Sequence, residues 1–240
     1  MRKKYSLEDL ETLLPLKTWW ASICVLPLSN RIAVSIANDT KITPNQITLI
    51  SFFLRILAAF AFIKGTRNHL VLGAFCYYLA YLLDCTDGLV ARLTGTSSEF
   101  GRYLDHVSDL IGDLLILTGL AYGQKLLLHP VVLAMMFAHI TEYYVSFLTS
   151  NIISNRREEK LKSTNVVLTL INRYRNFFFQ RNFKSFLSFP DYEALVFIFF
   201  PLAGHPVMGI KAGFYLVLLI VSYTIFSSFV TIMTGGNKFP

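Results

Sequence analysis

The sequence predicts an all-α integral membrane protein, with six transmembrane helices and an N-terminal interfacial amphipathic helical segment. Three observations predict it. Apolar residues make up 54% of the 240 positions, with 21 Phe and 12 Tyr, more than a soluble domain carries. They gather in runs close to the roughly 20 residues that a helix needs to cross a bilayer. The net charge of +7 is confined to particular loops, which suits membrane topology better than a nucleic-acid surface.

The six runs are 46–64, 70–92, 100–123, 128–151, 191–209 and 212–233. The first follows TPNQIT, where Thr43 can cap a helix, Pro44 suits its first turn, and Asn45 and Gln46 are still polar. Ahead of it, residues 7–38 mix Leu10, Leu13, Leu14, Leu16, Trp19, Trp20 and Ile23 with charges, and Pro15 and Pro27 interrupt them. This predicts helical segments lying along the interface, with Trp19 and Trp20 at headgroup depth. The chain thus divides into an interfacial segment, 1–45, and a six-helix membrane domain, 46–240. Cys24, Cys76 and Cys85 are odd in number and unpatterned, so neither a disulfide framework nor a zinc site is indicated. The start, MRKKYSLEDLETLL, stays polar for longer than a cleavable signal peptide allows.

Six spans place both termini on one side. Arg2, Lys3, Lys4, Lys17, Arg31 and Lys41 precede the first span, and Arg156, Arg157, Lys160, Lys162, Arg173, Arg175, Arg181 and Lys184 fill the loop 152–190. The other side has only Lys64, Arg67, Lys125 and Lys211. The excess of positive charge assigns the termini and the long loop to the cytoplasm, and with them the turn LTGTSSE between the second and third spans.

Around that turn runs LLDCTDGLVARLTGTSSEFGRYLDHVSD, with Asp84, Asp87, Asp105 and Asp109 between apolar runs. On helices, Asp84 and Asp87 stand three apart on one face and Asp105 and Asp109 four apart on another. Carboxylates at membrane depth repel one another and resist desolvation, so they signal function and need cationic partners. Oxygen-only ligands select Mg2+ or Mn2+, and four carboxylates suffice for two such ions. A divalent pair clamps the attacking and leaving oxygens of a phosphoryl substitution. Gly88 and Ala91 leave room for a nucleotide or pyrophosphate beside the backbone, and Arg92 offers forked donors to phosphate. Gly101 opens the facing helix, and Thr94, Thr96, Ser97 and Ser98 supply hydroxyls around the turn.

Written as D-x2-D-G-x2-A-R-x8-G-x3-D-x3-D, from Asp84 to Asp109, the spacing resembles the signature of the CDP-alcohol phosphatidyltransferase family at every fixed position. The resemblance implies a six-helix membrane enzyme, usually dimeric, that joins the phosphoryl group of a CDP-linked donor to an alcohol and releases CMP. It implies that Asp84, Asp87 and Asp105 bind metal, and that Asp109 both binds metal and deprotonates the acceptor hydroxyl. It further implies that Gly88 and Arg92 hold the CDP moiety, that Ser98 contacts the pyrophosphate, and that Asn45 and Thr48 face the same nucleotide pocket.

Other polar residues have two readings each. Asp113 either extends the site by one turn or is a buried carboxyl with a polar neighbour. His139 and Glu142 are either a structural pair or an acceptor-binding pair, and Arg55 is expected to partner an acidic residue. In the long loop, basic residues alternate with Phe177, Phe178, Phe179, Phe183 and Phe186, giving an interfacial segment drawn to anionic headgroups. The sharper alternative there is that Arg181 or Lys184 binds a phosphate on the acceptor, or that Asp191 and Glu193 recognise a cationic or polyhydroxyl one.

The expected reaction is transfer of a phosphatidyl group from CDP-diacylglycerol to a small, possibly phosphorylated alcohol, in the cytoplasmic membrane. A site at headgroup level suits a donor whose tails stay in the bilayer. The reversed scheme, a CDP-alcohol donor with a diacylglycerol acceptor, is the nearest rival. A divalent-cation transporter would also need intramembrane carboxylates, but it leaves the spacing of Gly88, Ala91, Arg92 and Gly101 without a reason.

Overall fold

A computed structural model describes residues 4–11, 13, 17–154, 173–175, 177, 178 and 180–234, and all structural statements concern these. Among them the chain is helical. A short α1, Leu7–Glu11, precedes α2, which begins as a π-helical turn, Ala21–Val25, and runs on as an α-helix, Leu26–Asp39. Then come α3 (Pro44–Lys64), α4 (Arg67–Thr94), α5 (Glu99–Gly123) and α6 (Pro130–Ser154). The chain continues in α7, built end to end from Phe189–Glu193, a π-helical stretch Ala194–Phe199, and Phe200–Ala203. The last helix, α8, is Pro206–Thr234.

Local chemistry sets these boundaries. Thr43 caps α3 reciprocally with Gln46: the Gln46 N–H donates to Thr43 Oγ1 at 3.4 Å, and the Thr43 N–H donates to Gln46 Oε1 at 2.9 Å. Gly65 ends α3 and Gly95 ends α4, both at φ +66°, which residues with a Cβ reach only with strain.

Among the described residues, Ala21–Asp39, Pro44–Lys64, Arg67–Thr94, Pro130–Ile152 and Pro206–Ile232 are long and apolar enough to cross a membrane, and the protein is an all-α membrane protein. In α5 the aspartates dilute the apolar run. α3 packs along both α4 and α5, α6 packs on α8, and α2 lies on α4. The main core gathers Phe62, Tyr77, Ile116, Leu120, Met135, Tyr192 and Phe197 between these helices.

Three sequence expectations need correction. Pro27 does not interrupt the N-terminal segment. It sits directly after the π-helical turn, in the first turn of the α-helical part of α2, and the helix runs from Ala21 to Asp39 through it. The fifth run does not extend to 209: Gly204, at φ +82°, stops α7 after Ala203, and α8 starts at Pro206. Continuous hydrophobicity across 196–210 concealed that break. α6 also reaches Ser154, beyond the expected end at 151. Pro15, and the basic Arg156, Arg157, Lys160 and Lys162, lie outside the described residues, as does Phe179.

The N-terminal segment is tied to the chain ahead of α7. The Lys17 N–H donates to Asn182 O at 2.7 Å and the Lys184 N–H to Lys17 O at 2.9 Å, while the Trp19 ring meets Phe178 and Phe183.

Candidate active site

The tight turn between α4 and α5 brings the acidic helix ends together. Gly95 reverses the chain, the Thr96 N–H donates to Ala91 O, and Ser98 caps α5 by accepting from the Gly101 N–H at 3.0 Å. The last turns of α4 then run beside the first turns of α5. One carboxylate oxygen from each of Asp84, Asp105 and Asp109 lies within 4.8 Å of the other two, and all three residues are half-buried. Oxygens bound to one hard cation at about 2.0–2.6 Å stand at most roughly twice that distance apart, so this trio fits a single Mg2+ or Mn2+.

Asp87 is outside that trio. It is buried and accepts a hydrogen bond from Thr48 Oγ1 on α3 at 2.5 Å. Thus the TPNQIT segment reaches the acidic site directly, through its last hydroxyl.

Arg55 on α3 supplies the positive charge. Its Nη1 pairs with Asp109 Oδ1, its Nη2 lies 3.3 Å from Asp84 Oδ1, and its Nε lies 3.8 Å from Asp113 Oδ1. The side chain is 3% exposed, so its charge has left water and depends on these acids. Gly112 makes the approach possible, since a Cβ there would fall 2.4 Å from Arg55 Cδ. Sequence reading anticipated one acidic partner, and the structure gives Arg55 three.

The residues expected on the nucleotide side also gather here. A Cβ on Gly88 would lie 3.3 Å and 3.4 Å from the two terminal nitrogens of Arg92, so the Arg92 guanidinium lies over Gly88. A Cβ on Gly101 would meet Asn45 Oδ1 at 3.0 Å and Ser98 Oγ at 3.1 Å, which places Asn45, Ser98 and Gly101 side by side. Ala91 is half-buried on α4 next to Arg92.

Among the described residues, no direct contact joins His139, Glu142, Arg181, Lys184 or Asp191 to this cluster, and only Glu193 of the suggested acceptor residues approaches it, through Asp113. His139 is fully buried, its Nε2 2.9 Å from Tyr192 Oη and its ring edge-on to Phe189 at 4.5 Å. Glu142 instead accepts from Ser146 Oγ at 3.0 Å and is close enough to Lys184 to feel its charge. Arg181 folds over the Phe177 ring at 3.7 Å and donates to Phe177 O at 2.9 Å. Asp191 accepts from the Ser188 N–H and Oγ, each at 2.8 Å, and from the Trp20 N–H at 2.6 Å.

Sequence reasoning missed a polar layer beneath the aspartates. Tyr143 Oη on α6 donates to Asp113 Oδ2 at 3.0 Å, and Tyr77 Oη on α4 donates to Glu193 Oε2 on α7 at 3.0 Å. The Asp113 and Glu193 carboxyls lie within hydrogen-bonding reach of each other. The available signal was Gly112 beside Asp113, a missing side chain at the level where a lone arginine enters from the first span.

Known proteins bear on this geometry. The sequence model of the CDP-alcohol phosphatidyltransferase family matches residues 41–233. Archaetidylinositol phosphate synthase of Pyrococcus horikoshii is 42% identical over 82 residues, which are 34% of this chain and 42% of that protein. Phosphatidylinositol phosphate synthase of Corynebacterium glutamicum is 40% identical over 73 residues, 30% of this chain and 32% of that one. The matched stretches therefore span less than half of these relatives. Phosphatidylinositol phosphate synthase of Mycobacterium tuberculosis, solved with manganese and citrate, superposes with a TM-score of 0.58 at 20% identity, covering 86% of this chain and 90% of that one. The same protein with CDP-DAG bound gives 0.57, over 87% and 94%. At that identity the likeness speaks for the fold. The match over residues 41–233 decides the larger question, and the chain belongs to the CDP-alcohol phosphatidyltransferase family.

Proposed function

We propose that this protein transfers the phosphatidyl group of CDP-diacylglycerol to the hydroxyl of a small alcohol, releasing CMP. The observation that carries the reading is the convergence of Asp84, Asp105 and Asp109 on one point, with Arg92 and Asn45 beside them. The names of the relatives, which include synthases of inositol phosphate lipids, make an inositol phosphate the first acceptor to test.

Asp84, Asp105 and Asp109 would hold one divalent cation, and Asp87, held through one oxygen by the Thr48 hydroxyl, would join a second. Such ions neutralise charge on the pyrophosphate and make CMP a better leaving group. Arg92 adds its guanidinium at the same pyrophosphate, and the absence of a side chain at Gly88 keeps the space over which Arg92 lies. Asp109 accepts the proton of the acceptor hydroxyl as the new O–P bond forms and the bond to CMP breaks. The lysine and arginine distribution orients this end of the helices toward the cytoplasm, where CDP-linked nucleotides and phosphorylated alcohols are dissolved.

The test is CMP release by purified protein given CDP-diacylglycerol, Mg2+ or Mn2+, and a panel of inositol phosphate, glycerol 3-phosphate, inositol and serine. Release that depends on one water-soluble alcohol supports the reading and excludes the reversed scheme. Divalent-metal flux into liposomes with no CMP release from any acceptor would overturn it. Stereochemical inversion at phosphorus is expected for the single displacement, and net retention would point to a phosphoryl-enzyme intermediate.

A further inference from the structure

Arg55 joins two acidic layers. Above, it engages Asp109 and Asp84, two of the three metal-site carboxylates; below, its Nε faces Asp113 at 3.8 Å. The lower layer is anchored from three other helices: Tyr143 of α6 holds Asp113, and Glu193 of α7, held by Tyr77 of α4, lies against it. Among the described residues, Arg55 Nε is buried with no hydrogen-bond partner and faces Asp113 Oδ1 at 3.8 Å. At this level charge rather than a direct bond keeps the guanidinium down.

The contacts above are of a different kind. Nη1 takes a single oxygen of Asp109, Oδ1, and Nη2 takes a single oxygen of Asp84, also Oδ1. A carboxylate with one oxygen committed to arginine keeps both lone pairs of the other, one for a metal ion and one for a proton. Bidentate chelation would set both oxygens of Asp109 against the cation and lower their basicity toward the acceptor's proton.

On this basis we propose that Arg55 is a positioning residue that holds Asp109 by one oxygen, preventing its capture as a bidentate metal ligand, while Asp113 and Glu193 fix the guanidinium from beneath. The inference rests on the phosphatidyl-transfer reading, and it assigns Arg55 no contact with substrate. Arg55 also places a positive charge beside the metal site, which weakens metal binding. Its removal should therefore strengthen metal binding and weaken catalysis together. A purely structural residue does not give that combination, because a damaged site loses both.

The full-length protein in detergent separates these outcomes, with Mn2+ binding followed by electron paramagnetic resonance and turnover by CMP release. For Arg55→Gln, the Mn2+ dissociation constant should fall by about threefold or more, as expected for loss of a neighbouring unit charge. Its kcat should fall by about tenfold or more with KM for CDP-diacylglycerol changed less than about threefold, the pattern of an interaction made in the transition state. Mn2+ binding no tighter than in the wild type, or turnover that survives, overturns the proposal. Arg55→Lys keeps a buried cation and guards against misfolding of the neutral variant. Lysine lacks the fork that reaches Asp84 and Asp109 together, so its Mn2+ affinity should match the wild type while kcat still falls about tenfold. Full turnover in Arg55→Lys also overturns the proposal. Should the wild type release no CMP with any alcohol, the phosphatidyl-transfer reading fails, and the Mn2+ affinity of Arg55→Gln alone decides this one.

Discussion

Thr48 Oγ1 donates a 2.5 Å hydrogen bond to Asp87 Oδ2, joining α3 to the acidic end of α4. The same hydroxyl lies 3.1 Å from Pro44 O, in the first turn of its own helix. A hydrogen bond to a charged group contributes about 1.5–3 kcal/mol. Thr48→Val, which removes the hydroxyl but keeps the shape, should lower kcat/KM by about tenfold or more, the equivalent of that bond. Thr48→Ser should stay within about twofold of wild type, since the donor is retained. Full activity in Thr48→Val with a loss in Thr48→Ser would mean that the methyl group matters and the hydroxyl does not.

Gly112 tests the placement of Arg55 without removing its charge. A Cβ at this position would fall 2.4 Å from Arg55 Cδ and 3.3 Å from Arg55 Cβ, so Gly112→Ala forces the side chain to shift. Overpacking of this kind costs about 1–3 kcal/mol of stability. Turnover measured below the unfolding temperature should fall by about tenfold as the guanidinium leaves Asp109. Unchanged turnover with lowered stability would reduce Gly112 to a packing role.

Two glycines predict opposite sizes of effect on stability alone. At Gly123 a Cβ would lie 2.0 Å from Phe62 O, where α3 and α5 touch backbone to backbone. At Gly95 nothing lies within 4 Å, and only the φ of +66° is unfavourable to alanine. Gly95→Ala should cost about 1–2 kcal/mol, the price of a left-handed residue. Gly123→Ala should lower the thermal unfolding temperature in detergent distinctly more. The opposite order would contradict the close contact of α3 with α5.

Asp191 Oδ1 accepts from the Trp20 N–H and ties the start of α7 to the N-terminal segment, while Oδ2 accepts from the Ser188 N–H and hydroxyl at the helix cap. Asp191→Ala removes a helix cap and the Trp20 contact, and should cost about 1–2 kcal/mol of stability. The order of preference among alcohols should not change, as an acceptor panel would show. A switch in acceptor preference would return Asp191 to the substrate site.

How far the sequence revealed this site depended on whether a feature was local. The Asp84 to Asp109 spacing lies within two helices and one turn, so a helical repeat alone aligned the carboxylates, and the Thr43 cap followed from neighbours three residues apart. Arg55 meeting Asp84, Asp109 and Asp113 depends on how α3 lies across α5, which the position of Gly112 decides. Glu193 reaching Asp113 requires α7 to pack against α4 and α5, and no periodicity within one helix encodes that. His139 and Glu142 looked like a pair by spacing, yet Tyr192 takes the histidine and Ser146 the glutamate. Hydropathy alone also ran through Gly204, because one left-handed glycine ends a helix without interrupting the apolar composition.

The central claim is that Asp109 takes the proton from the acceptor while it and the neighbouring aspartates hold metal. The most direct measurement is CMP release by Asp109→Asn alongside equilibrium binding of CDP-diacylglycerol. A positioned base contributes about 10²–10⁴ in rate, so turnover should fall by about a hundredfold or more while donor binding stays within a few-fold. Turnover within about tenfold of wild type would contradict the account, because amide cannot accept the proton that the mechanism assigns to Asp109.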